Sequence, residues 1–441
     1  MSWATRFRLR EYLRESLWVV PGLAAIIGLL GAAALISIDS HLRVPSDWAY
    51  SPSTASTVLS AIVGSVAALT GFVVTVTVLV VQMASGTFSA RSMRLWYRDP
   101  VLKGVLALLI GTLAYSFALL RRVEVRFVPD LGVTLAGVLL IVGLVTFVLF
   151  LNRFVQRLRP VAVVALIAKG LRLSLADDIA SARDLGNIFA GPLEDMAEPA
   201  SLTILSTRPG AVQAVDLRGV STWADRHECL VVMRHFVGDF IETGDVLFEV
   251  YGNPGRADAA EHDLRGLVAL GLERTIDQDP AFALRVMVDV ASKALSPAVN
   301  DPTTAVQVLD YLGDSLGVIG GSDLSAPSWQ TGARKRGVVV PIRRWEDFLA
   351  LGVTEIREFG STSIQVLRRL RAMLEKLLHE VRPENRQAVT AELARLDATV
   401  AASFSGSIDL ERAGIADGQG LGGPDRLAPV GSGAPMKVVS S

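Results

Sequence analysis

A polar cluster interrupts the helical pattern in the second half of the chain. The stretch "ALSPAVNDPTTA" carries polar residues where a new helix is predicted to begin: Asn300, Asp301, Thr303 and Thr304. Their oxygens and the backbone N–H groups of a helix start could bind a small ligand or a cation, although Asp301 would oppose an anion. The alternative is a helix joint alone, because Pro297 prevents regular continuation and Asp301 suits an N-cap. The sequence leaves both interpretations open.

Two histidines and the single cysteine share one predicted strand. His227, Cys229 and His235 are all odd-numbered, so the two-residue period of a strand would point them to one face, where they could hold zinc or copper. At roughly 3.3 Å per residue, however, His227 and His235 are too far apart to reach one ion. We therefore expect no metal site.

Familiar catalytic motifs are missing from the sequence. The chain contains no P-loop, dinucleotide-binding fingerprint, nucleophile elbow or HExxH motif. The charged pair Glu242 and Asp245 belongs to a predicted turn, where we expect it to stay solvated. These observations favour a non-catalytic protein without a cofactor.

The composition predicts a membrane protein. Of 441 residues, 51% are hydrophobic, and the mean hydropathy of +0.42 is too high for an ordinary soluble enzyme. A helix that crosses a bilayer needs about 20 predominantly apolar residues. Stretches of this kind predict a four-helix transmembrane domain over 1–152, with spans at about 17–38, 57–82, 104–120 and 131–151.

Arginine placement predicts the orientation of the spans. Cytoplasmic flanks retain arginine, and arginines occur before the first span, between the second and third, and after the fourth. Arg121, Arg122 and Arg126, between the third and fourth spans, disagree. We predict that both termini are cytoplasmic. The formal net charge of -1 gives no sign of nucleic-acid binding.

The second span carries small and hydroxyl residues on one helical face. They are Ser56, Ser60, Gly64, Gly71, Thr75 and Gln82. Close helix packing is the simpler interpretation, and the polar lining of a pore in an oligomer is the alternative. None of the spans as bounded contains Asp, Glu, Lys, Arg or His, which argues against an ion-coupled transporter.

A basic stripe follows the second span in "QMASGTFSARSMRLWYRDP", residues 82–100. Arg91, Arg94 and Arg98 recur at i, i+3 and i+7, so a helix would place them on nearby faces. Such a stripe would suit anionic lipid headgroups. An ordinary cytoplasmic flank explains the same residues and is the simpler interpretation.

The second half of the chain mixes helix and strand patterns. The predicted organisation is a juxtamembrane helix and linker at 153–205, a small β module at 206–252, a mostly helical part at 253–405 and a disordered tail at 406–441. Pro160 is expected to kink the juxtamembrane helix. Asp279 is expected to cap a helix that begins at Pro280. The predicted fold is thus a polytopic α-helical membrane protein with a C-terminal cytoplasmic α+β domain.

The β module resembles the biotinyl or lipoyl hammerhead. The similarity lies in the hairpin pattern "GDFIETGDVLFEV", residues 238–250. Those domains attach their cofactor to a turn lysine, and residues 170–292 contain no lysine. The resemblance therefore implies a fold without the carrier chemistry.

Two long motifs, together with the four spans, resemble one bacterial family. "QMASGTFSARSMRLWYRDP" and "ALSPAVNDPTTAVQVLDYLG" look like the membrane proteins called domain of unknown function 2254, over about residues 10–400. The resemblance implies a bacterial inner-membrane protein with a cytoplasmic domain. It implies no reaction, substrate or catalytic residue.

The function predicted first is a membrane-anchored, non-catalytic adaptor or sensor whose cytoplasmic domain binds a protein or small ligand. This prediction rests on a C-terminal half larger than anchoring requires. One alternative is an oligomeric ion channel lined by the second span, and another is a protein that binds anionic lipid. A homo-oligomer is compatible with each of them.

Overall fold

The chain forms two compact units. The computed structural model describes residues 2–39, 49–87, 98–124, 127–157, 159–185, 187–190, 199–322 and 336–422. An N-terminal unit lies within Thr5–Val163, and a C-terminal unit consists mainly of the residues from Val164 onward.

The described part of the N-terminal unit is helical. Its helices are α1 (Trp3–Glu15), α2 (Val19–Asp39), α3 (Pro52–Thr87), α4 (Pro100–Leu120) and α5 (Asp130–Arg157). Four of them, α2 to α5, are long and apolar enough to cross a membrane, which confirms the four predicted spans. Helices α3 and α5 extend beyond the predicted bounds, because hydropathy locates the apolar part of a helix and not its polar ends.

Helix α4 packs against α2, α3 and α5. Its closest approach is to α2, where a Cβ added to Gly28 would lie 2.4 Å from the carbonyl oxygen of Gly111. A Cβ added to Gly111 would in turn lie 3.1 Å from the carbonyl oxygen of Ala24. In lipid, helices gain little from burying apolar side chains, so small residues stabilise their association by letting backbones approach. The close helix packing of this unit thus occurs between α2 and α4.

Polar contacts join the C-terminal end of α2 to the N-terminal end of α5. The Asp39 carboxylate accepts a hydrogen bond from the Gly132 N–H (3.3 Å), and the Tyr115 hydroxyl donates to the Gly132 carbonyl (3.0 Å). Just before α3, the Tyr50 N–H donates to the Asp130 carboxylate (2.8 Å). These groups lie at the ends of apolar stretches, so the helices are tied together without placing a charge at their centres.

We predict that Gly28→Val disrupts the bundle, because the new side chain would collide with the backbone of α4. Overpacking of this kind should lower the free energy of unfolding by about 1–3 kcal/mol or more. Denaturant titration of the purified protein in detergent measures the change.

Gly22→Val is the matched control on the same helix, since a Cβ at Gly22 would meet no atom within 4 Å. The control should change stability by no more than about 0.5 kcal/mol. Equal effects of the two substitutions would contradict the close contact between α2 and α4.

The C-terminal unit contains two β-sheets. The strands are β1 (Ile188–Ala190), β2 (Leu202–Leu205), β3 (Gly210–Val215), β4 (Leu230–Met233), β5 (Phe240–Ile241), β6 (Val246–Tyr251), β7 (Val268–Gly271) and β8 (Gly337–Val340). One sheet has the order β1-β8-β4-β6-β2 and the other the order β5-β3-β7. Strand β8 is parallel to both of its neighbours, β1 and β4, and the remaining pairs are antiparallel.

Helices supply the rest of the C-terminal unit. They are α6 (Pro160–Leu185), α7 (Leu217–Arg226), α8 (Ala257–Arg265), α9 (Pro280–Ala294), α10 (Pro302–Gly321), α11 (Trp345–Phe359), α12 (Ile364–Glu380), α13 (Arg386–Ser403) and α14 (Ser407–Ala413). Helix α9 packs against α10 and α11, and α12 packs against α10 and α13. Their buried residues include Met287, Leu312, Leu316 and Leu370. The predicted mixture of helices and strands is confirmed.

The β module expected at 206–252 is not a separate unit. Helix α7 lies within it, and its strands are divided between the two sheets. Strand β3 pairs with β7 and strand β4 pairs with β8, both of which lie outside that range. The structure thus gives no support to the hammerhead resemblance, which rested on one local hairpin pattern.

Three local predictions around this sheet need correction. Strand β1 lies within the predicted linker, because its hydrogen-bond partner β8 is distant in sequence. Pro160 begins α6 and does not kink a continuous helix, which suits a residue without an N–H at the first helical position. His227 is the C-cap of α7, and β4 begins only at Leu230, so the histidines and the cysteine do not share one strand face.

The tail predicted to be disordered is partly ordered. Helix α14 and the segment after it pack on α12, where the Arg368 guanidinium donates to the carbonyls of Ile415 (3.0 Å) and Gly422 (2.9 Å). The buried Asp417 carboxylate accepts the Gly420 N–H (2.9 Å). Composition suggested disorder, but backbone hydrogen bonds order this glycine-rich segment. The prediction is wrong for 407–422, and residues 423–441 lie outside the described part.

Candidate functional site

The predicted polar face of α3 is exposed. Ser60, Gly64, Gly71, Thr75 and Gln82 are all exposed, and Ser56 is half-buried. A Cβ added to Gly64 or Gly71 would meet no atom within 4 Å. The buried face of α3 is the opposite one, formed by Ala55, Leu59, Ile62, Val66, Val73 and Val80. Packing within the described part of the chain therefore does not account for the polar face.

The exposed face of α3 contains two seven-residue repeats. We call these residues the α3 stripe: Thr57, Gly64, Gly71 and Val78, together with Ala61, Ala68, Thr75 and Gln82. Every member of the stripe is exposed. A strict seven-residue repeat keeps one face of a helix against a partner helix in a left-handed supercoil. The polar residues alone predicted part of this face but not its seven-residue period, because Ala61, Ala68 and Val78 are not polar.

The threonine hydroxyls of the stripe donate hydrogen bonds to backbone carbonyls of the same helix. The Thr75 hydroxyl donates to the Gly71 carbonyl (2.9 Å), and the Thr57 hydroxyl donates to the Ser53 carbonyl (2.8 Å). An unsatisfied donor would be costly in a membrane. These two threonines can therefore lie against another helix without further polar partners.

The break between α9 and α10 is a tightly hydrogen-bonded joint. The Asn300 N–H donates to the Ser296 carbonyl (2.8 Å), and Asn300 adopts a left-handed conformation with φ of 48°. Asp301 caps α10, because its carboxylate accepts both the N–H (3.0 Å) and the hydroxyl (2.5 Å) of Thr304. The N-cap prediction for Asp301 is confirmed.

The polar groups of this joint bond mainly to one another. Asp301 and Thr304 are half-buried, whereas Asn300 and Thr303 are exposed. A ligand would have to compete with the contacts inside the joint. Ligand binding at Asn300, Asp301, Thr303 and Thr304 stays a prediction.

The basic stripe after α3 is only partly described. Arg91 and Arg94 lie outside the described residues. Arg98 contacts the carboxylate of Glu11 and lies 3.5 Å from that of Glu15, both on α1. Its charge thus serves to hold α1, which leaves the predicted headgroup contact without support at this residue.

Asp279 is a buried carboxylate that the sequence identified only as a helix cap. Its Oδ1 atom accepts the Phe282 N–H (2.9 Å) and so caps α9 as predicted. The residue is only 2% exposed. Burial raises the pKa of Asp279, although the Phe282 N–H and the charges of Arg274 and Arg343 act in the opposite direction. A local pattern predicts the cap of α9, whereas the burial of Asp279 depends on the elements that surround it.

Other charged groups of the C-terminal unit connect its elements. The Arg285 guanidinium donates to Asp289 (2.7 Å) and to Glu355 (2.6 Å), and these bonds raise its pKa above the usual value. The Tyr251 hydroxyl donates to Glu249 (2.7 Å), and burial together with this bond raises the pKa of Tyr251 to about 12. The contact of Arg285 with Glu355 joins α9 to α11 across 70 residues of sequence, and no local motif predicts it.

The described residues offer no evident metal centre. Among them, no group of three or more His, Cys, Asp or Glu side chains is placed to hold an ion. Cys229 is fully buried, and burial raises the pKa of its thiol, which makes it a packing residue in this unit.

Comparison with known proteins agrees with the four apolar helices. Residues 14–376 match the family described as predicted membrane protein, domain of unknown function 2254. The chain belongs to this family. An uncharacterised protein of Mycobacterium tuberculosis and one of Mycobacterium bovis are each 30% identical to it over 407 residues, covering 88% of this chain and 77% of theirs. No solved structure matches the chain.

The burial of Asp279 predicts a pH dependence of stability. Because its folded pKa is raised, the native state binds the proton more tightly than the unfolded chain does, whose ordinary value is about 3.9. The resulting stabilisation is present below that value and is lost as the pH rises through the folded pKa. Asp279→Asn keeps the capping oxygen but cannot ionise, so the variant should not lose this stability as the pH rises.

Thermal unfolding of the full-length protein in detergent, measured between about pH 4 and 8, tests this expectation. As the pH rises, the melting temperature of Asp279→Asn should increase relative to that of the wild type. Asp216→Asn removes another capping carboxylate, which accepts the Gly219 N–H on α7, and reports the general effect of such a change. Parallel pH curves for the wild type and Asp279→Asn would refute the role of burial.

Proposed function

We propose that the chain is a homo-oligomeric, non-catalytic membrane protein that acts as an adaptor or sensor. In this proposal, copies assemble through the α3 stripe. The observation that carries it is the exposure of every stripe residue on a helix whose opposite face is buried. Small residues at a seven-residue repeat allow close helix approach, which is what stabilises helix pairs in lipid.

The C-terminal unit would supply the binding surface of the adaptor. Phe240 is 63% exposed and Leu272 is 94% exposed. Both belong to the same end of the three-stranded sheet, on the two strands that flank β3, because Ala211 pairs with Phe240 and with Gly271, the residue before Leu272. Large apolar side chains exposed in this way are candidates for contact with a protein partner. A protein partner is favoured over a small ligand at the joint, where Asp301 and Thr304 already bond to each other.

The proposed location is a bacterial inner membrane with both termini in the cytoplasm. Arginines before α2, between α3 and α4, and at the end of α5 support this orientation. The four spans alternate in direction if each crosses the membrane, which returns the chain to its starting side. The C-terminal unit would then be cytoplasmic.

We predict that Gly64→Leu and Gly71→Leu reduce the proportion of oligomer, because a leucine in the stripe prevents close helix approach. Mass photometry of the full-length protein in lipid nanodiscs measures the number of copies. Val74→Leu is the control, since Val74 is exposed on α3 but lies outside the stripe. A wild-type protein that is monomeric in nanodiscs would refute the proposal.

An ion-conducting pore is the second candidate. It is favoured by the hydroxyl and glycine residues that several copies of the stripe would bring around one axis. Such a pathway would have no charged lining along the stripe. A pore requires space between the α3 helices of neighbouring copies. In the adaptor, the small residues of the stripe are in direct contact and leave no such space.

A planar-bilayer recording distinguishes the two candidates. The pore predicts discrete currents from the wild-type protein, loss of these currents in Gly64→Leu and their retention in Val74→Leu. The absence of currents from protein shown to be inserted and oligomeric would remove the pore and leave the adaptor in place.

A further inference from the structure

Helix α1 exposes its apolar residues. Leu9, Tyr12 and Leu13 recur at i, i+3 and i+4, and all are exposed, with Tyr12 at 65%. A surface helix of a soluble protein normally turns such residues toward the core. Trp18, just before α2, is also exposed, at 77%. An apolar surface of this kind is therefore available next to the start of a membrane-spanning helix.

The opposite face of α1 is polar and is held in place. Glu11 is only 6% exposed and contacts Arg98, whose guanidinium also lies 3.5 Å from the Glu15 carboxylate. Lys103, at the start of α4, donates to the carbonyl of Leu13 (3.4 Å) and contacts that of Arg14. A lysine at these final carbonyls suits the negative end of a helix. These contacts fix α1 with its apolar face outward.

Arginines line one flank of this apolar face. Arg6, Arg10 and Arg14 recur at i, i+4 and i+8, and all are exposed. Residues four apart on a helix are neighbours, so the three guanidinium groups form one row. Helices with an apolar face bordered by basic residues lie in the surface of a membrane, where the basic residues meet anionic headgroups. Interfacial tryptophans such as Trp18 occupy the same depth.

We propose that α1 lies in the membrane surface and binds anionic phospholipid headgroups through Arg6, Arg10 and Arg14. Leu9, Tyr12 and Leu13 enter the boundary between headgroups and acyl chains. Two observations identify lipid as the occupant of this face. The basic row complements anionic headgroups, and α1 adjoins α2, whose exposed side chains face lipid if it spans the membrane. The inference does not depend on assembly through α3.

Fluorescence quenching tests the depth of α1. A polarity-sensitive fluorophore is attached to the full-length protein at Tyr12→Cys in a Cys229→Ser background, and the protein is placed in liposomes containing lipid-borne quencher. We expect strong quenching at Tyr12→Cys and little at Lys376→Cys, which replaces an exposed residue of α12. Equal, weak quenching at both positions would overturn the proposal, because the apolar face of α1 would then lie away from lipid.

Lipid selectivity tests the basic row. The full-length protein is titrated from phosphatidylcholine nanodiscs into mixtures with phosphatidylglycerol, and bound anionic lipid is measured by energy transfer from a labelled headgroup. Replacing Arg6, Arg10 and Arg14 with glutamine should weaken the preference for phosphatidylglycerol about tenfold or more, since the charges that attract the anionic headgroups are removed.

The matched control replaces Arg121 and Arg122, which are exposed just after α4 at its other end. Their replacement with glutamine should leave the selectivity unchanged. Equal effects of the two sets, or an equal preference of the wild type for zwitterionic and anionic lipid, would overturn the proposal. Raising the salt concentration should weaken the wild-type preference, because exposed charges are screened.

Discussion

The backbone contact between α2 and α4 is the constraint on which the N-terminal unit depends. Between membrane helices there is little hydrophobic gain, so packing distance decides how strongly two helices associate. Gly28 and Gly111 remove the side chains that would keep these backbones apart. Helix α4 can then lie centrally, with α3 and α5 packed against it as well. The polar contacts among Asp39, Tyr115 and Gly132 fix the ends of the same helices.

The sequence predicted those features that depend on local chemistry. Four apolar helices followed from hydropathy, and the caps at Asp279 and Asp301 followed from a carboxylate placed before a proline. The polar side of α3 could also be identified, because helical period relates residues of one segment. The exposure of this side of α3 could not be predicted, since it depends on where α4 packs.

Features that join distant segments were not predictable from one sequence. The pairing of β1 with β8 turned an expected linker into a strand, and the pairing of β4 with β8 removed the expected separate module. The histidine prediction failed because a helix ends at His227, where the β-prone residues alone suggested a longer strand. Likewise, Arg368 orders a glycine-rich tail that composition alone describes as disordered.

The parallel pairing of β1 with β8 has a consequence for how the chain acquires its structure during synthesis. Strand β1 leaves the ribosome soon after the apolar helices, but its partner at 337–340 is made only after most of the C-terminal unit. Strand β8 also lies between β1 and β4, so β1 cannot join the sheet before β8 has been added. Contacts between distant segments form slowly. The nascent chain therefore holds an incomplete sheet until β8 has been made, a period in which an unpaired strand edge is prone to aggregation.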